Sequence, residues 1–399
     1  MSSSNNNTVF TKESPAVIAA VEAGGTSFVV AICHHVSSNT NATDNNNNNL
    51  PTIIARHQVD SSHDNPAQTL DECCAFLKQH KPPNGYHALG IASFGPLGVH
   101  VDRPDTYGKI LASTPKAHWR HVDLLTPLRA ACQGTLPLKI KVDTDVNAPA
   151  MAEHLLLSST SSSTSTSSSL AYITVGTGIG VGLVVNHKPV HGRMHPEGGH
   201  VPVQPLPGDT FEGYSWGAKC PFHGKNTVEG LASSVALTER YLSNNNNNND
   251  RSILATLSDD DELWDHAANA LANLCTTLLL TLSMETIVLG GGLMQRKGLL
   301  ENIQQRTLQL INGYLVLPDI TTVIVTSRFG NDAGLMGTIV LAQMALTDSN
   351  NNNKKDDKAT EKTMKQTAFQ AGLWHGTLVG IVGTALVCKY WFLDGNKRK

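Results

Sequence analysis

Three short glycine-rich turns and one Asp-Thr-Asp stretch carry most of the chemistry written into this chain. "EAGGTSF" places Gly24, Gly25 and Thr26 directly after an apolar run, "VGTGIG" places Gly176, Thr177 and Gly178 after another, and "LGGGL" places Gly290, Gly291 and Gly292 after a third. Glycines at a strand end let backbone N–H groups approach and wrap a phosphate, and a threonine hydroxyl adds a donor. One such turn is equally well a plain hairpin; three in one chain, all where α/β folds place ligands, make the phosphate reading the stronger one.

"DTDVNAPA" puts Asp145 where a strand gives way to a helix, a position from which a carboxylate can reach into a cleft. On spacing alone the stronger reading is that Asp143 or Asp145 caps the following helix, the common role for Asp there. "HPEGGH" and "CPFH" add His200, Cys220 and His223, three ligands of the kind zinc takes, although structural zinc asks for four and no fourth Cys or His follows closely. His187 and His191, in the same stretch as His200, read as surface residues.

The elements that must hold these residues alternate. "AVIAAV" (Ala16–Val21) and "SFVVAIC" (Ser27–Cys33) read as strands around the first turn, with "TIIARHQV" a third strand. "PAQTLDECCAFLKQH" has Leu70, Cys74 and Leu77 at helical spacing. "ALGIASFG" and Leu138–Val146 read as further strands, followed by the helix "APAMAEHLLL". "LAYITVGTGIGVGLVV" then repeats the strand–turn–strand unit of "VIAAVEAGGTSFVVAI". A long helix over about Leu263–Leu282, the strand "ETIVLGGGL", another helix and the strand "TTVIVTS" complete the second copy. Two such copies imply a duplicated α/β architecture.

Composition narrows the function. The chain has 399 residues, enough for two domains with buried cores. A formal net charge of −3 argues against a nucleic-acid binder. Seven scattered cysteines show no disulfide framework, and "MSSSNNNTVF" lacks a signal-peptide pattern, so an intracellular, cytosolic setting is expected for the catalytic part. Polar tracts at Asn39–Asn49, Ser158–Ser169, Asn244–Asn249 and about Ser349–Lys365 mark exposed loops or linkers.

These blocks, in this order, resemble the ROK sugar kinases (repressor, open reading frame, kinase), above all their fructokinase branch. The likeness runs from about Ala16 to Leu346 through "VEAGGTSFVVAI", "GIASFGPLGV", "YGKILASTPKAHWRHVDLL", "DTDVNAPAMAE", "YITVGTGIGVGLVVNHKPVHGRMHPEGGH", "CPFHG", "VEGLASS", "IVLGGGLM" and "GNDAGLMGT". "YGKILASTPKAHW" and Thr144 in "TDVN" point to the fructokinase branch. The resemblance implies a two-domain, actin-like and ribonuclease-H-like ATPase fold with MgATP and sugar in an interdomain cleft, and commonly a homodimer. It divides the chain into a disordered N-terminus (1–15), an N-terminal α/β domain (16–145) and a C-terminal α/β domain (146–347), whose last helix packs back on the N-terminal one. A polar linker (348–367) follows.

Carried over by motif, the resemblance implies that the turns at Gly24–Thr26 and Gly176–Gly178 hold the ATP phosphates and that Gly290, Gly291 and Gly292 line the nucleotide site. Asp145 is the implied catalytic base, and Glu197, His200 and Asn147 are implied sugar contacts, with Asn147 beside the base. Glu22, where many relatives have Asp, is implied to hold Mg²⁺ through water. Zinc is implied at His200, Cys220 and His223, with Asn226 or Thr227 standing where the branch has its fourth ligand, a cysteine. The activity implied is transfer of the ATP γ-phosphate to the 6-hydroxyl of fructose, with mannose, glucose or another hexose the alternative. A non-catalytic sugar sensor would lack Asp145, and the family's repressors carry an N-terminal helix-turn-helix for which the polar N-terminus has no counterpart.

The C-terminus departs from the family. "AFQAGLWHGTLVGIVGTALVC" (Ala368–Cys388) has no charged residue, and Gly372, Gly376 and Gly380 form two G-x-x-x-G steps. Residues 368–392 therefore read as a transmembrane tail anchor, with the kinase facing the cytosol.

Overall fold

The computed structural model describes residues 15–35, 51–61, 65–160, 167–213, 225–245 and 252–348. Two five-stranded mixed sheets organise the body. The first contains β1 (Ala16–Ala23), β2 (Ser27–His35), β3 (Thr52–Asp60), β4 (Ala88–Ser93) and β5 (Lys139–Thr144), in the order β3-β2-β1-β4-β5. The second contains β6 (Ser169–Val175), β7 (Ile179–Val185), β8 (Lys188–Pro189), β9 (Thr286–Gly290) and β10 (Ile324–Thr326), in the order β10-β9-β6-β7-β8. The two orders are the same once each sheet is counted from its own hairpin. In both, a tight turn joins two antiparallel strands, a third antiparallel strand follows, and two parallel strands arrive by crossovers. The expected α/β duplication is therefore present in strand order and direction.

Helices cover these sheets. They are α1 (Pro66–Gln79), α2 (Leu125–Cys132), α3 (Asn147–Thr160), α4 (Val228–Ala232), α5 (Ser234–Asn245), α6 (Ile253–Thr256), α7 (Leu263–Leu282), α8 (Leu299–Ile311), α9 (Ile320–Val323) and α10 (333–348). Helix α1 forms where the apolar spacing predicts it: Leu70, Cys73, Cys74 and Leu77 are buried, and Asn65 caps its start by accepting from the Gln68 N–H. Each sheet has its own core. Val21, Phe28, Ile32, Ile91 and Trp119 meet in the first, and Ile173, Val181, Leu271, Leu274 and Ile287 meet in the second.

Two helices tie the halves together. Helix α3 leaves β5 of the first sheet and packs on β6 and β7 of the second. Helix α10 returns across β4, where a side chain at Gly90 would collide with Thr338 and Ala342, and it crosses α3 so closely that a side chain at Gly337 would strike the Ala148–Pro149 backbone.

Two expectations are corrected. "TTVIVTS" is a strand only over Ile324–Thr326, because Asp319 accepts from the Thr321 N–H and winds Ile320–Val323 into a helical turn first. The transmembrane tail anchor at 368–392, with the membrane association it implied, is withdrawn: no helix among the described residues is long and apolar enough to cross a membrane. Residues 368–392 themselves lie outside the described residues.

Candidate active site

Strand alternation aims Glu22. Val21 and Ala23 of β1 enter the core of the first sheet, so the side chain between them leaves by the other face. The first turn closes at once, Gly24 N–H donating to Ser27 O at 3.0 Å. The second turn repeats this on β6 and β7, with Gly176 N–H donating to Gly178 O at 3.0 Å. Helix α5 begins against it, Ser234 N–H donating to Gly176 O at 2.8 Å.

The competition between cap and cleft for the acidic residues is resolved by hydrogen bonds. Thr144 Oγ1 accepts from the Asn147 N–H at 3.0 Å at the start of α3. Asp143 Oδ1 accepts from the Thr144 N–H at 2.8 Å and from Asn147 Nδ2 at 3.0 Å. Thr144 thus caps the helix, and Asp143 is spent on the Thr144 N–H and the Asn147 side-chain amide. The Asp145 backbone is pinned by its N–H donating to Ser93 O at 2.9 Å, and its side chain lines the cleft.

Two chambers meet at that carboxylate. One, of about 450 Å³, is lined by the second turn and by Lys116, His195, Glu197, His200 and Glu229. The other, of about 380 Å³, is lined by Glu22, Arg56, Tyr172, Gly291, Asn331 and Asp332. Gly25, Thr26, Asp145 and Thr174 belong to both. Burial pushes Asp145 up to about 6, against the pull of Lys116. Burial and the charge of Asp145 push Glu22 up to about 7. Glu197 also reaches about 7, by desolvation first and then by Glu229 and Asp145; 37% of its side chain stays exposed, but in a concave wall where protein displaces much of the water. Crowded, desolvated carboxylates are a mark of functional sites.

The remaining expected residues divide. Gly24, Gly25 and Thr26 line the smaller chamber, and Gly176, Thr177 and Gly178 the larger one. Of the triple glycine, Gly291 lines the smaller chamber, with φ of 94°, whereas Gly290 and Gly292 do not line either. Asn147 is fully buried and also outside the lining: its Nδ2 serves Asp143, and its Oδ1 accepts from the Leu183 N–H at 3.1 Å, which fastens α3 to β7. His200 Nε2 lies 3.8 Å from Glu197 Oε2. Cys220 and His223 lie outside the described residues, and among the described residues no group of three His, Cys, Asp or Glu could hold a metal ion.

Three lining residues escape a motif reading. Glu229 accepts from the Ile179 N–H at 2.8 Å and so fixes the strand after the second turn. His195, 4% exposed, accepts from the Leu97 N–H at 2.9 Å through Nε2, which leaves Nδ1 as the protonated nitrogen, 3.2 Å from Pro196 O. Lys116 donates to Gly25 O at 2.6 Å. Only their quoted blocks, "VEGLASS", "MHPEGGH" and "STPKAHW", pointed to them. The two surface histidines have partners: His187 Nδ1 lies 3.0 Å from His154 Nε2, and His191 Nε2 lies 3.0 Å from the buried Asp143 carboxylate.

The chain is similar to known proteins. The model of the ROK family matches residues 18–345. A fructokinase of Zymomonas mobilis is 32% identical over 283 residues, 70% of this chain and 86% of its own. A fructokinase of Pediococcus pentosaceus is 30% identical over 289 residues, 72% of this chain and 91% of its own. Among solved structures, a ROK hexokinase from Thermus thermophilus superposes with a TM-score of 0.59 at 20% identity, covering 83% of this chain and 99% of that one.

Proposed function

The chain belongs to the ROK family, and from that premise we propose that it is an ATP-dependent fructokinase, with the 6-hydroxyl of D-fructose as phosphoryl acceptor. The observation that carries the reading is the Asp145 carboxylate at the junction of two chambers, between two glycine turns and held near a pKa of 6. A carboxylate there is ionised at neutral pH yet basic enough to take a proton.

In this reading the sugar occupies the larger chamber, against Glu197, His200 and Glu229, and the two turns hold the phosphates. Asp145 accepts the hydroxyl proton as that oxygen attacks the γ-phosphorus; the bond to the β–γ bridging oxygen breaks and ADP leaves. Glu22 suits a hard cation that takes one or two carboxylates and fills its shell with phosphate oxygens and water, which is how Mg²⁺ is usually held. Bound there, Mg²⁺ supplies charge neutralisation for the β- and γ-phosphates. The donors around His200 do not assemble a zinc shell among the described residues, and no step here uses zinc. The names of the Zymomonas and Pediococcus relatives favour fructose over other hexoses.

A coupled ADP-release assay across fructose, mannose and glucose, with ATP and Mg²⁺, tests the proposal. Fructose should give the highest kcat/KM. Preference for another hexose would move the substrate assignment, and no turnover above background on any of them would remove the kinase reading.

A further inference from the structure

Lys116 precedes the one-turn helix Ala117–Trp119 and is positioned by it. The Trp119 ring is fully buried, 5.1 Å from Phe28 of β2 and edge-on at 5.4 Å to Phe94. That anchor draws the lysine stem into the body, and only 9% of the residue remains exposed. Its ammonium stops 2.6 Å from the carbonyl oxygen of Gly25, in the first turn, and 3.6 Å from the centre of the Phe94 ring.

Among the described residues no carboxylate forms an ion pair with it. A buried ammonium without a counter-anion is costly, and such groups are normally paired. Burial draws Lys116 down to about 8, with Asp145 holding it up, so it stays charged at neutral pH. Of its three N–H donors, Gly25 O takes one. The larger chamber, which Lys116 lines together with Gly25, Thr26 and Asp145, is where the other two can act.

We propose that Lys116 is a catalytic cation of the transfer: its ammonium binds the γ-phosphoryl oxygens between the first turn and Asp145 and takes up the charge that builds on them. This rests on the kinase reading above. No bond to Lys116 forms or breaks; the sugar oxygen bonds phosphorus, the β–γ bridge opens, the hydroxyl proton goes to Asp145 and the ammonium keeps its three protons. A compact point charge already fixed by a carbonyl and a ring face suits phosphoryl oxygens that shift during transfer.

The test titrates Mg²⁺–AMPPNP and Mg²⁺–ADP into the full-length wild type, K116M and K116R, and measures fructose kinetics on each. K116M should bind AMPPNP about tenfold or more weakly while ADP changes less than about twofold, because only the first carries the γ-phosphate. Its kcat should fall about 10²–10³-fold with the fructose KM nearly unchanged, and K116R should regain part of that loss. K116Q carries the same readouts if K116M does not fold. Equal weakening of both nucleotides, or a raised fructose KM at unchanged kcat, overturns the inference. A wild type that phosphorylates no hexose sinks the kinase reading instead, and the two nucleotide titrations still decide whether Lys116 meets a γ-phosphate.

Discussion

The two sheets share one strand order but not one chemistry. Two residues before the first turn stands Glu22; two before the second stands Thr174. Asp145 follows the last residue of β5 and donates its N–H to Ser93 O at 2.9 Å; Ser327 follows the last residue of β10 and donates its N–H to Leu289 O at 2.9 Å. Yet Asp145 lines the cleft, whereas the Ser327 hydroxyl donates to Glu153 Oε1 at 2.6 Å and braces the loop leading to Asp332. The same backbone position is thus spent on a titrating group in one half and on an internal brace in the other. Duplication built a scaffold with two equivalent pairs of positions, and at those two pairs the carboxylates stand on one side only.

That asymmetry can be broken experimentally. The largest effect is expected at Asp145. Under the proposed reading, Asp145→Asn lowers kcat by about 10²–10⁴-fold, while Ser327→Ala at the matching position loses about tenfold at most, the worth of one hydrogen bond. Comparable losses in steady-state kinetics would erase the distinction. The pH profile adds a sign. Activity should fall as pH drops through about 6, because the base is then protonated. Stability runs the other way: a carboxylate raised from 3.8 to about 6 binds its proton more readily when folded, so its ionisation destabilises the fold as pH rises through that window. Asp145→Asn should therefore melt higher than the wild type at pH 7.5, and a lower melting temperature would contradict the burial assigned to this group.

A smaller contrast is expected two residues before each turn. Glu22→Gln should raise the Mg²⁺ concentration needed for half-maximal activity by roughly tenfold or more, while Thr174→Val shifts it little. An unchanged Mg²⁺ dependence in Glu22→Gln would take this carboxylate out of the proposed metal shell.

The smallest effect is on stability. Gly291 holds φ of 94°, and a Cβ there would lie 2.5 Å from Val175 O, so Gly291→Ala should cost about 1–3 kcal/mol in chemical denaturation. Gly292 has open space, and Gly292→Ala should stay within about 0.5 kcal/mol. Equal costs would mean that the triple glycine acts as a unit.

Much of this was legible beforehand where one pattern dominates. The helix Leu263–Leu282 was read to its ends because a continuous apolar stripe meets a packed core. Both hairpins were read because strand, glycine turn and strand are local. "TTVIVTS" was misjudged because one Asp319 cap outweighs a β-branched run, and that contest leaves no periodic trace. Asn147 is a different case: proximity in the chain sets it near Asp145, while its side chain turns into the body, where it meets Asp143 and the Leu183 N–H.

The sequence by itself determined the family, the duplicated units, the turns and the acidic candidate, because each is encoded within a few neighbouring residues. Only the tertiary structure decided that Thr144 caps α3 and leaves Asp145 to the cleft, and that Lys116, 91 residues after Gly25, rests on its carbonyl. It also decided which carboxylates titrate near neutrality. Burial and charge proximity are sums over distant segments, and no local spacing carries them.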